Sequence, residues 1–207
     1  MPDTPLKPKK LSRIQQRNRQ LIMDAALDVF SKDGFRGSTL DQIAKACGLS
    51  KPNILYYFDG KEDIYVTLLN HLINTWLAPL HELNPQGNPL DEISDYIKHK
   101  MEMTRAYPRE SRLFANEMIQ GAPRMKSHLV SEVKPLFDRK AALIQHWMDQ
   151  GKLAATDPRH LLISIWATTQ HYADFETQVG VVMEGSADTL DEATEFLLTM
   201  FRKALRP

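Results

Sequence analysis

The sequence predicts an all-α fold: a small N-terminal three-helix unit followed by a larger C-terminal helical bundle. Three observations predict it. Apolar residues recur at helical spacing through most of the 207 residues, glycines, prolines and capping residues fall between the apolar stripes, and no segment alternates apolar and polar side chains as a half-buried strand does. A hydrophobic content of 43% is enough to build a real core.

Residues 1–11 hold three prolines and four charged side chains with almost no apolar spacing, and read as a flexible basic arm. Ile22, Ala25, Ala26, Val29 and Phe30 then form the stripe of an amphipathic helix over about 13–33, with Gly34 placed as its left-handed cap. Ser38 or Thr39 can start a short helix, Gln42 sits three residues after Thr39 as in a capping box, and Gly48 ends it. Ser50 starts the next helix with Pro52 in its first turn, where a missing N–H costs little, and Asp59 and Gly60 stop it. Two short helices around a turn glycine make a helix-turn-helix.

A long helix is predicted from Lys61 to Leu80, with Ile64, Leu68, Leu72, Trp76 and Leu80 in an i+4 ladder and Pro79 forcing a kink or an end. After the loop LNPQGNP, helices are predicted over about 90–106, 109–120 and 125–150, the last interrupted near Pro135 and capped by Gly151. Asp157 and Pro158 signal a helix through about 178, and residues 188–205 form the last. The predicted organisation is an arm at 1–11, a helix-turn-helix domain at 12–60 and a helical domain at 61–207.

Composition narrows the function. The net charge is zero, yet residues 1–51 carry 10 Lys and Arg against 5 Asp and Glu, while the remainder carries 16 against 21. A basic end on a neutral chain suits a polyanion bound through counterion release. The single cysteine, Cys47, excludes an internal disulfide framework and reads as a small buried hydrophobe. No apolar run approaches the ~20 residues that cross a bilayer, and the polar start lacks a secretory signal, so no membrane association and a cytoplasmic location are expected. The seven histidines show no HExxH pattern, and there is no Gly-rich phosphate loop or G-x-S-x-G elbow. No catalytic residue, metal or cofactor is therefore expected, although Gln170, His171 and Asp174 are the group an enzyme reading would use.

Ile43, Ala44, Leu49, Ile54 and Phe58 are spaced to form the small core of the helix-turn-helix unit, leaving Lys51, Asn53, Tyr56 and Tyr57 on the outer side of its second helix. A helix so presented can enter a major groove ~12 Å wide. The segment GFRGSTLDQIAKACGLSKPNILYYFDGKEDIY, Gly34 to Tyr65, resembles the DNA-binding region of the TetR family of repressors. The resemblance implies a homodimer on double-stranded palindromic operator DNA. It also implies phosphate contacts from Tyr57, Lys61 and either Ser38 or Thr39, with Lys51, Asn53 and Tyr56 as candidates for base readout. Leu55 and Asp59-Gly60 depart from the usual family residues.

Three further stretches, WLAPL at 76–80, YPRESRLFANEM at 107–118 and GKLAATDPRHLLISIWATTQHYADF at 151–175, resemble a TetR subgroup that controls pyrimidine use. That resemblance implies a small-molecule effector, a pyrimidine base such as uracil or thymine. In the last stretch Ile163, Trp166, Gln170 and Ala173 or Asp174 share a helix face suited to line a cavity, while Ile165, Thr168, His171 and Phe175 lie opposite and suit a subunit interface. The Gln170 amide complements the alternating N–H and C=O edge of such a base, Trp76 and Trp166 can cover its ring, and Asn116 can add a second amide. Three alternatives remain open at this point: a TetR-type repressor of an efflux or other catabolic operon with a different effector, an architectural DNA-binding protein without a ligand, and an enzyme.

Overall fold

The computed structural model describes residues 12–184 and 188–207, so the predicted arm at 1–11 lies outside the described residues. The described residues contain helices and no strands. They form two compact units divided after Leu68, eight residues beyond the predicted domain boundary. The first turns of the long helix belong with the N-terminal unit because Ile64 and Tyr65 are buried in its core.

In the N-terminal unit, α1 (Arg13–Gly37) starts at a Ser12–Gln15 capping box and contains non-helical backbone at Gly34, with φ 65° and ψ 176°. The helix thus breaks at the predicted glycine and resumes for one further turn. Next, α2 (Leu40–Cys47) is capped by Thr39, whose hydroxyl accepts from the Gln42 backbone N–H while the Gln42 side chain returns a bond to the Thr39 N–H. Gly48 follows in the left-handed region at φ 69°, where a side chain is disfavoured, and turns the chain into α3 (Lys51–Tyr57), capped by Ser50. Ile22, Phe30, Ile43, Ile54 and Phe58 are buried together with Tyr65, which meets Phe30 edge-on at 5.0 Å. Leu49 and Cys47 are half-buried, less than the predicted core required.

The long helix α4 (Lys61–Glu82) buries its whole predicted ladder and runs through Pro79 for a further turn instead of ending there. The C-terminal unit continues with α5 (Pro89–Ala106), α6 (Pro108–Ile119), a short α7 (Lys126–His128), a π-helical segment Leu129–Val133, and α8 (Lys134–Asp149). The predicted interruption at Pro135 falls just before it, because a proline in the first turn of α8 cannot donate to the preceding turn, which widens to a π register. The helix predicted to reach 178 instead ends as α9 (Pro158–Asp174), and a bend at Phe175 leads into α10 (Glu176–Val182). The last helix is α11 (Thr189–Leu205).

Helix α5 packs against both α9 and α11, and α9 also receives α6 and α8. Their shared core includes Ile93, Ile97, Ile144, Trp147, Leu162, Ile165, Leu197 and Phe201. Polar ties fix the register: Thr104 donates to the Thr169 carbonyl at 3.0 Å, and Arg202 donates to Ser94 Oγ at 2.8 Å while pairing with Asp91. The predicted two faces of α9 need correction. Ile165 is fully buried in the core, whereas Ile163, assigned to the cavity side, is 49% exposed. The solvent face of α9 instead carries Ile163, Ala167 and His171, with Phe175 exposed at the bend that follows, and that of α11 carries Phe196 and Met200.

Candidate functional site

The outer side of α3 exposes Lys51, Asn53 and Tyr56, with Tyr57 half-buried beside them. The Ser50 cap and Pro52 start this helix, and its first three residues are all exposed. Lys51 pairs with Asp41 of α2 at 3.3 Å, a surface contact that a phosphate or base can replace. The two tyrosine rings meet edge-on at 5.0 Å, and each hydroxyl is held from α1: Gln15 donates to Tyr56 at 2.9 Å and Asn18 to Tyr57 at 3.1 Å. Gln15 and Asn18 were not singled out from sequence, though their i, i+3 spacing on the polar side of α1 was visible.

Two predicted phosphate contacts are engaged elsewhere. Ser38 is 1% exposed and donates its hydroxyl to the Gly34 carbonyl, so Thr39, exposed at the start of α2, is the surface residue of that pair. Lys61 Nζ donates to the carbonyls of Phe35 and Ser38, both at 2.7 Å, and lies 4.3 Å from the Phe35 ring centroid. It ties the start of α4 to the end of α1, and two of its three N–H groups are committed to those carbonyls.

The C-terminal unit holds a cavity of about 260 Å³ that opens to solvent on one side. Trp76 of α4, Lys100 of α5, Phe114 and Met118 of α6, Leu129 and Val133 of the π segment, and Trp166 and Gln170 of α9 line it. Trp76 meets Phe114 edge-on at 5.1 Å, and Trp166 donates its indole N–H to the Tyr96 hydroxyl at 2.6 Å, so both rings are held. The Gln170 amide makes no hydrogen bond among the described residues. An apolar chamber with two polar groups suits a ligand of a single ring, since ~300–1,000 Å³ is typical for larger ones.

Asn116 and Asp174, also predicted as ligand contacts, lie apart from this lining. They border a neighbouring recess with Arg112 and Phe175, to which Gln170 also contributes. Asp174 accepts a hydrogen bond from Ser111; burial raises its pKa, opposed by that bond and by the charge of Lys100. Helix geometry explains the separation: the 100° step per residue turns Asp174 away from Trp166 and toward α6.

Lys100 is the cavity residue that sequence reasoning missed. It sits in the buried stripe of α5 among Ile93, Tyr96, Ile97, Met101 and Thr104, and a lysine in such a stripe was itself the signal. Burial lowers its pKa to about 8, against the pull of Asp174, which favours the charged form.

Among the described residues no group of three or more His, Cys, Asp or Glu side chains is arranged for a metal, and no helix is long and apolar enough to cross a membrane. The exposed helix of a helix-turn-helix, carried by an all-helical chain, defines the class of helix-turn-helix DNA-binding regulators. Residues 22–68 match the family described as bacterial regulatory proteins, tetR family, and residues 69–207 match the YcdC-like protein, C-terminal region. The chain belongs to the TetR family of transcriptional regulators, which are not enzymes. It is 48% identical over 173 residues to the HTH-type transcriptional regulator RutR of Escherichia coli (strain K12), covering 84% of this chain and 82% of that protein. It is 23% identical over 192 residues to the biofilm operon icaADBC HTH-type negative transcriptional regulator IcaR of Staphylococcus aureus (strain Newman), covering 88% of this chain and 98% of that one. A TetR-like transcriptional regulator from Rhodococcus sp. RHA1 shares the fold at a TM-score of 0.68 and 20% identity, covering 92% of this chain and 95% of that one.

Proposed function

We propose that the protein is a cytoplasmic, homodimeric repressor of pyrimidine catabolism that leaves a palindromic operator when uracil or thymine fills the cavity of the C-terminal unit. The observation that carries this reading is the meeting of Trp76, Trp166 and the unpaired Gln170 amide around one single-ring space, in a chain 48% identical to RutR. Two indoles supply faces for a flat ring, and the amide supplies one acceptor and two donors for its polar edge. The cavity disfavours a purely architectural DNA-binding role, which would need no such chamber.

On the DNA side, Thr39 and Tyr57 position the backbone while Lys51, Asn53 and Tyr56 meet base edges. The exposed apolar faces of α9 and α11 form a four-helix bundle with their mates, giving the two-fold symmetry that a palindrome mirrors. Helix α4 carries Trp76 in the cavity lining and Ile64 in the N-terminal core, so it is the element on which effector and DNA act reciprocally.

Selection of bound duplexes from a random library, followed by gel-shift titration, tests the reading. Uracil or thymine releases the selected palindrome from the wild type, and Gln170→Ala keeps DNA binding but loses release, since an unpaired polar edge in a dry pocket costs ~1–3 kcal/mol. Release by neither base would refute the effector, and unchanged release in the variant would remove Gln170 from the site.

A further inference from the structure

A lysine that is 4% exposed is a liability unless its three N–H groups find acceptors. Lys100 has none among the described residues. Its Nζ lies 5.2 Å from the centroid of the Trp76 ring, a cation–π contact that offsets part of the charge but accepts no conventional hydrogen bond. The other side chains lining the cavity are apolar or aromatic except Gln170. The elements packed around it contribute a single charged group facing the ammonium, Asp174 of α9, and an oxygen of that carboxylate is already held by Ser111. Neither α4, α6 nor the π segment brings a charge to the lining. The ammonium is thus a donor built into a chamber whose one other polar lining side chain is Gln170, and it stands over the face of the Trp76 ring at the cavity wall.

We propose that Lys100 is a specificity-determining residue of this cavity, its ammonium donating to an exocyclic oxygen of the bound ring that Gln170 leaves free. This rests on the pyrimidine-base reading above and adds the residue that selects its oxygen pattern. A pyrimidine-dione offers two ring carbonyls: the Gln170 amide pairs with one of them and the neighbouring N–H, and Lys100 takes the other. The effector class is therefore a planar ring bearing at least two oxygen acceptors, and replacing the Lys100-facing oxygen by the weaker acceptor sulfur removes the advantage. Because an oxygen acceptor favours the ammonium over the neutral amine, binding at about pH 8 draws a proton onto Lys100.

Isothermal titration of the full-length protein with uracil, 2-thiouracil and 4-thiouracil tests this, with Lys100→Met as the variant of similar length. The wild type is expected to bind uracil ~10–100-fold more tightly than the variant, the scale of a charge-assisted hydrogen bond in a dry site. One of the two thio analogues should bind the wild type distinctly more weakly than uracil, and that difference should vanish in Lys100→Met. A second readout is proton uptake at pH 8, measured in buffers of different ionisation enthalpy: up to about half a proton for the wild type and none for the variant. Circular dichroism establishes that the variant is folded; should it fail to fold, the thio series and proton uptake on the wild type decide alone. Uracil binding by the wild type without proton uptake and without thio discrimination overturns the role of Lys100 and leaves the effector reading standing. Absence of binding by uracil and thymine alike overturns both.

Discussion

Trp166 donates its indole N–H to the Tyr96 hydroxyl at 2.6 Å, a bond between a half-buried ring of the cavity and a tyrosine only 3% exposed. Desolvation pushes the Tyr96 pKa well above its ordinary value, so the hydroxyl stays protonated and offers Trp166 a permanent acceptor. Tyr96→Phe leaves the indole N–H buried without that partner. It is expected to cost ~1–3 kcal/mol of stability, read by urea denaturation, and to weaken effector binding because the ring loses its anchor. A variant with unchanged midpoint and unchanged affinity would show that packing on Phe137, 5.4 Å away, suffices to hold the ring.

Lys61 and Asn53 separate structural from reading roles in the DNA-binding unit. Lys61→Ala removes two bonds to carbonyls and the contact with Phe35, so it should lower the unfolding free energy by ~1–3 kcal/mol while the slope of log affinity against log salt changes little. Asn53→Ala should leave stability within ~0.5 kcal/mol, since the side chain is exposed, and shift preference among operator variants by ~1–3 kcal/mol at one base pair. Melts and gel shifts at several salt concentrations decide it, and a lowered salt slope in Lys61→Ala would restore that residue to the phosphate contacts.

The split between these residues shows where sequence reasoning reaches and where it stops. Thr39, Gly48 and Ser50 could be placed because capping and positive φ are local requirements read from neighbouring residues. The buried ladder of α4 was likewise periodic and needed no tertiary knowledge. Ser38, one residue before the cap, gave no local sign that it faces inward, and the acceptors of Lys61 lie more than twenty residues away. The cavity followed the same rule. Trp76, Trp166 and Gln170 carried their chemistry openly, whereas Asn116 and Asp174 were displaced by the rotation of α6 and α9 that packing sets. Lys100 was legible only as an anomaly in an apolar stripe, and its value depends on what the other helices bring to face it.

The uncovered apolar faces make a prediction about assembly. Phe196 is 62% exposed, Met200 37% and Ile163 49%, all on the outer sides of the last two long helices of a folded unit. Phe196→Glu places a charge in the proposed bundle and should convert a dimer into a monomer at micromolar concentration by analytical ultracentrifugation, with loss of operator affinity because each half-site must then be bound alone. A Phe196→Glu protein that sediments as the wild type does would move the interface elsewhere.

Lys100 gives the empty protein a stability that depends on pH, and the sign can be worked out. Its pKa is about 8 in the folded state against 10.5 ordinarily, chiefly through burial. Below pH 8 both states hold the proton, and the native state bears the cost of a charge held in the cavity wall with no hydrogen-bond acceptor from the protein among the described residues. Between 8 and 10.5 the unfolded chain still holds the proton that the native state has released, so stability rises with pH and the penalty is gone above 10.5. Lys100→Met, which keeps the stem and removes the charge, should therefore stabilise the empty protein at pH 7 by on the order of 3 kcal/mol, and the gain should shrink to near zero as pH rises through that window. Taking the difference between wild type and variant cancels the opposite alkaline effect of Tyr96, whose native state retains a proton that the unfolded chain loses. Urea denaturation of both proteins from pH 6.5 to 10 measures it. A variant less stable than the wild type at pH 7 would mean that the charged lysine contributes favourably in the empty state, and that its ammonium is not waiting for a ligand.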